Sequence, residues 1–535
     1  MTVPAMPSLL PMSDAMPVAP GTGTAPRRAA RVRRASITNL GCKVNQAEMD
    51  AVVRALRAAG FEIVPAGVAA DLHVVNTCTV TAVADDKSRK AVRRARRTSP
   101  GAAVVVTGCS VEVGRAAFAA LDPAAHLVAN AEKDELLGEV ERLLGVSLDS
   151  EVAGRGVPPP GLLDGALPTL AGVEVAGAPD GRSRIDRTRA FVKVQDGCSF
   201  HCTYCIIPRA RGAERSIAPD DVLADVRRAV GAGHREIVLT GINIGTYDGG
   251  WSDPGVRGAH ARSGLTLAGL VRRILAEADV ERIRLSSIEP QHVDDDLLEA
   301  WLSAGAGRCL PHVHLPLQSG DDGVLRRMGR RYDAAFYAGV VARVRAAVPQ
   351  VAVHADLIVG FPTEDQAAWE RSISFVRSLD LAGIHVFRYS ERPGTPAARM
   401  TGQVPEPARR ARAAEALAIA AAARRRFAAR TVGHERQVLF EQPHPTGGWI
   451  GHAEDHVLVR SGPGADGRPL AGQLARVAVV GLDPGNPERV LGRVLAVVPG
   501  PPAGHASRTG ELPAIPLVPG AGVPAARPMP SGGPP

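Results

Sequence analysis

At 535 residues and 45% hydrophobic side chains, the chain is long enough to bury roughly two or three separate cores, and it reads as a globular protein with loose ends. Its formal charge of +8 comes almost wholly from arginine, the only lysines being Lys43, Lys87, Lys90, Lys133 and Lys193, so charge alone only hints at a polyanionic partner. Seven cysteines, an odd number in a long chain without an apolar export segment, argue against a disulfide framework and for metal or cluster ligation.

Residues 1–34 are expected to be a disordered extension. They hold no apolar run of the length a signal peptide or membrane span requires. The arginine pairs Arg27, Arg28 and Arg33, Arg34 lead into polar Thr38 and Asn39 instead of an export core, and the expected location is cytoplasmic. Residues 35–150 alternate short β-like runs (RASITNL, DLHVVN, AAVVVTG, HLVAN) with helical patterns, the rhythm of a parallel sheet wrapped by helices. A Pro- and Gly-rich linker is expected at 151–185. Residues 186–405 repeat the strand-then-helix rhythm six times (FVKVQ, REIVLTG, RIRLSS, HVHLPL, VAVHADLIVG, GIHVFRYS), which predicts an open barrel and not a closed eight-unit one. An Ala/Arg helix at about 406–432 leads to 433–498, where RQVLFEQ, WIGHAE, HVLVRSG, LARVAVVGLD and VLGRVLAVV predict a small antiparallel barrel. A disordered tail follows at 499–535. The expected fold class is α/β: an open parallel-sheet domain, a central partial barrel of six units and a small C-terminal β-barrel.

Cys198, Cys202 and Cys205 form a C-x3-C-x2-C loop, CSFHCTYC, just after the first barrel strand. Three thiolates leave one iron of a four-iron cluster without a protein ligand. That open iron can take the amino and carboxylate groups of S-adenosylmethionine, whose reductive cleavage yields a 5'-deoxyadenosyl radical. Tyr204, before the last cysteine, suits an adenine shelf. A zinc knuckle completed by His201, or an electron-transfer cluster with a remote fourth cysteine, competes for the same loop. Cys42, Cys78 and Cys109 each sit just past a predicted parallel strand, on the edge where open α/β sheets bind ligands, and three such cysteines can converge on a second cluster. Cys309 has no such companion and reads as a packing thiol.

These residues carry a resemblance to the radical S-adenosylmethionine methylthiotransferases across about residues 35–498. The motifs are LGCKVNQAEMD, VVNTCTVTAVADDKSR, VVVTGC, GCSFHCTYCIIPRARG, LTGINIGTY, RLSSIEP, HLPLQSGDD, DLIVGFPTE and FRYSERPGTPA. The resemblance implies two [4Fe-4S] clusters, an auxiliary one on Cys42, Cys78 and Cys109 and a radical one on Cys198, Cys202 and Cys205. It also implies S-adenosylmethionine as cofactor, a C-terminal TRAM-like domain for RNA, a tRNA substrate, and an electron donor such as flavodoxin or ferredoxin. It leaves the sulfur donor unnamed and implies no membrane partner. Lys43, Val44, Asn45 and Gln46, in GCKVNQ, resemble the branch that methylthiolates N6-threonylcarbamoyladenosine at tRNA position 37. The isopentenyladenosine branch more usually shows GCQMN there, and the ribosomal-protein S12 branch GCPKN.

Polar groups at barrel strand ends are candidates for holding S-adenosylmethionine: Gly241, Asn243, Glu289, Gln318, Ser319 and Arg388, each with a loop-cap or turn role as its plain alternative. His312 and His314 read as structural. For RNA, the helix KSRKAVRRARR offers Lys87, Arg89, Lys90, Arg93 and Arg94, which serve equally as a solvated face. Arginines of the 406–430 helix are weaker candidates that brace the last domain. Trp449 has base stacking and core packing as equal readings. Two other classes stay open on sequence alone: a two-cluster electron-transfer protein, and an RNA-binding zinc protein.

Overall fold

The computed structural model describes residues 33–148, 188–248, 264–303, 308–462 and 469–500. The expected linker, most of the N-terminal extension and most of the tail lie outside the described residues.

The N-terminal unit is a five-stranded sheet in the order β2-β1-β3-β4-β5, every neighbouring pair parallel. Its strands are β1 (Arg34–Asn39), β2 (Glu62–Val64), β3 (Leu72–Thr77), β4 (Ala103–Gly108) and β5 (His126–Val128). All six residues of β3 are buried, as a central strand covered on both faces requires. Helices α1 (Lys43–Ala58), α2 (Ala82–Thr98) and α3 (Cys109–Leu121) connect these strands. Strand β2 was not among the predicted runs. It is a three-residue edge strand, too short to show a period of its own.

The central unit has six parallel strands: β6 (Arg189–Lys193), β9 (Glu236–Thr240), β10 (Arg282–Leu285), β11 (His312–His314), β12 (Ala352–Val359) and β13 (Gly383–Arg388). Those strands coincide with the six predicted runs. They form two three-stranded sheets, β10-β9-β6 and β11-β12-β13, joined through the parallel bridges Ile283–Cys309 and Ser287–His314. Among the described residues β6 and β13 do not pair, so the barrel is open there. A short ribbon, β7 (Gln195–Asp196) with β8 (Arg215–Ser216), brackets the segment that carries Cys198, Cys202 and Cys205. Cys309 packs at the edge of the apolar barrel core, where burial pushes its thiol up to about 12.

A helix over Glu406–Arg430 runs from the central barrel to a closed barrel, β14-β15-β16-β18-β17. These strands are β14 (Glu435–Pro443), β15 (Trp449–Ala453), β16 (Leu458–Ser461), β17 (Leu474–Asp483) and β18 (Asn486–Val497). The expectation of an antiparallel barrel needs one amendment, because β16 and β18 pair in parallel. An odd number of strands cannot close with every neighbour antiparallel. The linking helix is tied to both units: Arg424 pairs with Glu488 of β18 at 2.6 Å, and Arg412 with Glu364 of the central barrel at 2.8 Å. No helix of the described residues is long and apolar enough to cross a membrane.

Candidate active site: two cysteine triads joined by a buried charge network

Cys42 is the N-cap of α1, Cys78 follows β3 and Cys109 is the first residue of α3, directly after β4. Because β1, β3 and β4 are adjacent and parallel, all three thiols fall on one carboxyl edge of the sheet. Two of the three also sit at helix N-termini, although burial raises the Cys42 thiol above its ordinary value. Gly41 makes the approach possible. At φ +133° it adopts a conformation L side chains rarely take, and a Cβ there would lie 2.8 Å from Asn45 Nδ2 and 3.2 Å from Cys78 Cβ. Asn45 Nδ2 donates to Leu40 O at 3.0 Å and Thr77 O at 3.1 Å, tying the first cysteine loop to the second. Burial pushes the Cys78 thiol up to about 12, so a metal must displace its proton to bind.

The second triad lies between β7 and β8. Gly197, at φ +68°, turns the chain where a Cβ would meet Ala213 O at 2.0 Å. Cys198 N donates to Gly212 O at 3.1 Å, Cys205 N to Cys202 O at 3.0 Å, and Phe200 N to Cys198 Sγ at 3.4 Å. Burial pushes Cys198 up to about 11 and Cys205 up to about 12. Arg330 Nη1 donates to Cys202 Sγ at 3.4 Å and to the Tyr204 hydroxyl at 3.3 Å, while Nη2 pairs with Glu289.

The two triads meet through a buried network. Asn130 Nδ2 donates to Cys109 Sγ at 3.5 Å and to Ala210 O, in the turn after the second triad, at 2.6 Å. Arg211, with its side chain 1% exposed, reaches Asp196 at 2.8 Å, Glu48 at 3.0 Å and Asn45 Oδ1 at 2.5 Å. Asp196 lies two residues before Cys198, and Asn45 three after Cys42. Glu48 also takes Lys133 (2.6 Å) and Lys193 (3.0 Å); Asp196 also takes Lys193 (2.7 Å) and Arg215 (3.0 Å). Despite the burial that raises it, Glu48 is held well below the usual carboxylate range by Lys133, Lys193 and Arg211. Four cations against two carboxylates leave the ground between the triads net positive.

The other sequence candidates fall in different places. Asn243 is 3% exposed, and among the described residues both of its side-chain polar atoms are buried without a partner, as a ligand-binding amide would be. A Cβ on Gly241 would lie 2.9 Å from Gln195 Oε1, the atom that accepts from Ile242 N and Asn243 N. Tyr204 packs edge-on against Phe361, beside the cysteine loop. Gln318 has φ +67° and exchanges backbone bonds with β12. Ser319 is fully buried and caps the next turn through Asp321 N, and Arg388 is exposed and pairs with Glu406. His314 bonds Asp356 at 2.8 Å and Ser287 at 2.9 Å, and His312 bonds His354 at 2.8 Å.

On α2, Lys87, Lys90, Arg93 and Arg94 are exposed, whereas half-buried Arg89 pairs with Asp85 and Asp86. Trp449 packs against the C-terminal barrel core. Sequence reasoning missed Arg330, Arg211 and Asn130. Each has a partner 80 to 166 positions away (Asn130 with Ala210, Arg330 with Cys202, Arg211 with Asn45), and only the tertiary fold brings those together.

Residues 34–130 match the family described as Uncharacterized protein family UPF0004, and residues 192–376 match the Radical SAM superfamily. The chain is 33% identical over 432 residues to Threonylcarbamoyladenosine tRNA methylthiotransferase MtaB of Bacillus subtilis, covering 78% of this chain and 88% of that one. The MtaB of Rickettsia prowazekii is 32% identical over 459 residues, covering 86% and 97%. A tRNA-2-methylthio-N(6)-dimethylallyladenosine synthase of Maricaulis maris is 32% identical over 431 residues, covering 78% and 89%. With two cysteine triads on one connected site and relatives spanning most of its length, the chain belongs to the MtaB-type family of radical S-adenosylmethionine tRNA methylthiotransferases.

Proposed function

We propose that this chain converts N6-threonylcarbamoyladenosine at tRNA position 37 to its 2-methylthio derivative, with Cys198, Cys202 and Cys205 holding one [4Fe-4S] cluster and Cys42, Cys78 and Cys109 a second. The observation that carries the reading is the direct link between triads: Asn130 bonds the Cys109 sulfur on one side and the turn after the radical loop on the other. When bound, the clusters and S-adenosylmethionine supply one-electron chemistry and sulfur, which an unactivated aromatic carbon such as adenine C2 calls for.

The chain's own residues bind and position. Asn243 offers its unpartnered amide to the cofactor, and Arg330 sets Glu289 and Tyr204 around the open face of the radical loop. Arg211 and Glu48 hold the two triads in register, so that a base between them meets both. Exposed Lys87, Lys90, Arg93 and Arg94, on the helix just after Cys78, supply phosphate contacts that orient the tRNA without reading sequence. The threonylcarbamoyl preference is supported by the GCKVNQ segment and the MtaB relatives. The dimethylallyladenosine relative at equal identity makes isopentenylated tRNA the second substrate to assay.

The deciding experiment is anaerobic reconstitution followed by incubation with tRNA bearing threonylcarbamoyladenosine. Cys202→Ala should stop deoxyadenosine formation altogether. Cys78→Ala should keep deoxyadenosine formation and lose the thiolated nucleoside, and full thiolation by that variant would refute the division of labour.

A further inference from the structure

The seam between the central barrel and the C-terminal barrel gathers histidines from four elements. His312 lies at the start of β11, His354 in β12, His452 in β15 and His456 in the turn after it. The His312 and His456 rings stack with centroids 4.7 Å apart. The His354 and His456 centroids are 5.5 Å apart, and those of His452 and His456 4.6 Å. One ring nitrogen from each of His312, His354 and His456 lies within 4.8 Å of the other two.

Two features are poorly explained by packing. His312 is 5% exposed: its Nε2 meets His354 Nδ1 at 2.8 Å, while its Nδ1 is buried with no hydrogen-bond partner among the described residues, so packing does not fully satisfy the ring. His456 holds a left-handed backbone at φ +68°, a conformation uncommon outside glycine although histidine accepts it more readily than most residues. The turn that fixes it is built in. Ala453 N donates to Val457 O, His456 N to Ala453 O, and buried Asp455 takes both Val457 N and the Arg436 guanidinium. Residues from two folding units, three imidazoles deep, are thus aimed at one point.

We propose that His312, His354 and His456 bind a zinc ion that clamps the C-terminal barrel to the central barrel. Imidazole is a ligand that zinc favours, and a tetrahedral site with Zn–N near 2.0–2.1 Å needs nitrogens about 3.4 Å apart. The His312 Nε2 to His354 Nδ1 distance is 2.8 Å, so those rings open by roughly half an ångström. The neighbouring Arg284 shares the single carboxylate of Glu236 with Arg282 (2.7 and 3.1 Å), and Lys43 also faces His312, so the ion binds against a net positive surround that three neutral imidazoles must outweigh. His452 is already oriented by Glu441 at 2.8 Å and is left outside the set. None of its ligands belongs to either cysteine triad, although Lys43, next to Cys42, faces His312, and the proposal does not rest on the reaction proposed above.

The test uses the full chain with its clusters reconstituted anaerobically, stripped of loosely held metal and titrated with zinc sulfate. About one zinc per chain should be retained, with an X-ray absorption spectrum showing nitrogen or oxygen neighbours and no sulfur. His354→Gln and His456→Asn should each weaken zinc binding by more than the roughly 10–100-fold that a change outside the ligand set costs, while iron content and cluster absorbance stay at the wild-type level. Asparagine tolerates the left-handed backbone at 456, so that variant keeps the turn. Failure of the wild type to retain zinc, unchanged affinity in both variants, or sulfur in the zinc spectrum would overturn the proposal. If either variant does not load its clusters, the wild-type spectrum decides.

Discussion

Replacing Arg211 with methionine removes the guanidinium that joins the two halves of the active site while keeping most of its volume. Its side chain is 1% exposed and contacts Asp196, Glu48 and Asn45. Breaking a buried charge pair by deleting one partner costs about 3–5 kcal/mol. Here Glu48 keeps Lys133 and Lys193, and Asp196 keeps Lys193 and Arg215, so no carboxylate is stranded and the loss should sit near about 3 kcal/mol. A chain of several folding units has no single unfolding free energy, so the readout is the urea midpoint at which cluster absorbance is lost. That midpoint should fall by roughly 1–2 M. The functional effect should exceed the structural one, because an ångström of misplacement between reacting groups costs on the order of 100-fold. Thiolated nucleoside per deoxyadenosine should therefore fall at least about tenfold. Arg89→Met, which removes a surface cation paired with Asp85 and Asp86, should leave both readouts where they were. An unchanged midpoint and an unchanged product ratio in Arg211→Met would refute the idea that this network holds the triads in register.

Gly41→Ala should block the Cys42 site, since the added methyl meets Asn45 and Cys78; iron should fall from roughly eight to roughly four per chain, with deoxyadenosine still formed. Asn243→Ala should weaken S-adenosylmethionine binding about tenfold by equilibrium dialysis while the iron count holds; unchanged affinity would place Asn243 outside the cofactor site. Glu236 is buried, which raises its pKa, but Arg284 and Arg282 outweigh burial and bring it down to about 2. Its folded pKa is depressed, so its contribution to stability is present above about pH 4.5 and lost as pH falls toward 2. Acid melts of Glu236→Gln should be flatter across that window than those of the wild type. Changing Lys87, Lys90 and Arg93 together to alanine should lower tRNA affinity uniformly and reduce the salt slope by roughly 0.7–0.9 for each phosphate that the protein ceases to neutralise.

The strands and cysteines were legible because their signals are local. A cysteine just past an apolar run needs only the run to be placed, and parallel strands with both faces covered stand out as continuous hydrophobic segments. Short edge strand β2 and the parallel β16–β18 pair were not, since the first has no period and the second is a property of ring closure. The polar machinery was least visible. Arg211 is one of many arginines in the sequence, and nothing around it foretells that Asn45, 166 residues earlier, lies against it. The same holds for the seam histidines: His312 and His314 alternate like any strand residues, and only the C-terminal barrel's placement brings His456 onto His312.

The account stands most directly on one incubation: reconstituted enzyme, reductant and S-adenosylmethionine, with tRNA carrying threonylcarbamoyladenosine in one tube and isopentenyladenosine in another, followed by nucleoside mass analysis. The prediction is 2-methylthio-N6-threonylcarbamoyladenosine in the first tube together with deoxyadenosine. Thiolation confined to the second tube would contradict the proposed substrate, and deoxyadenosine without a thiolated nucleoside in either would contradict the joined two-triad site.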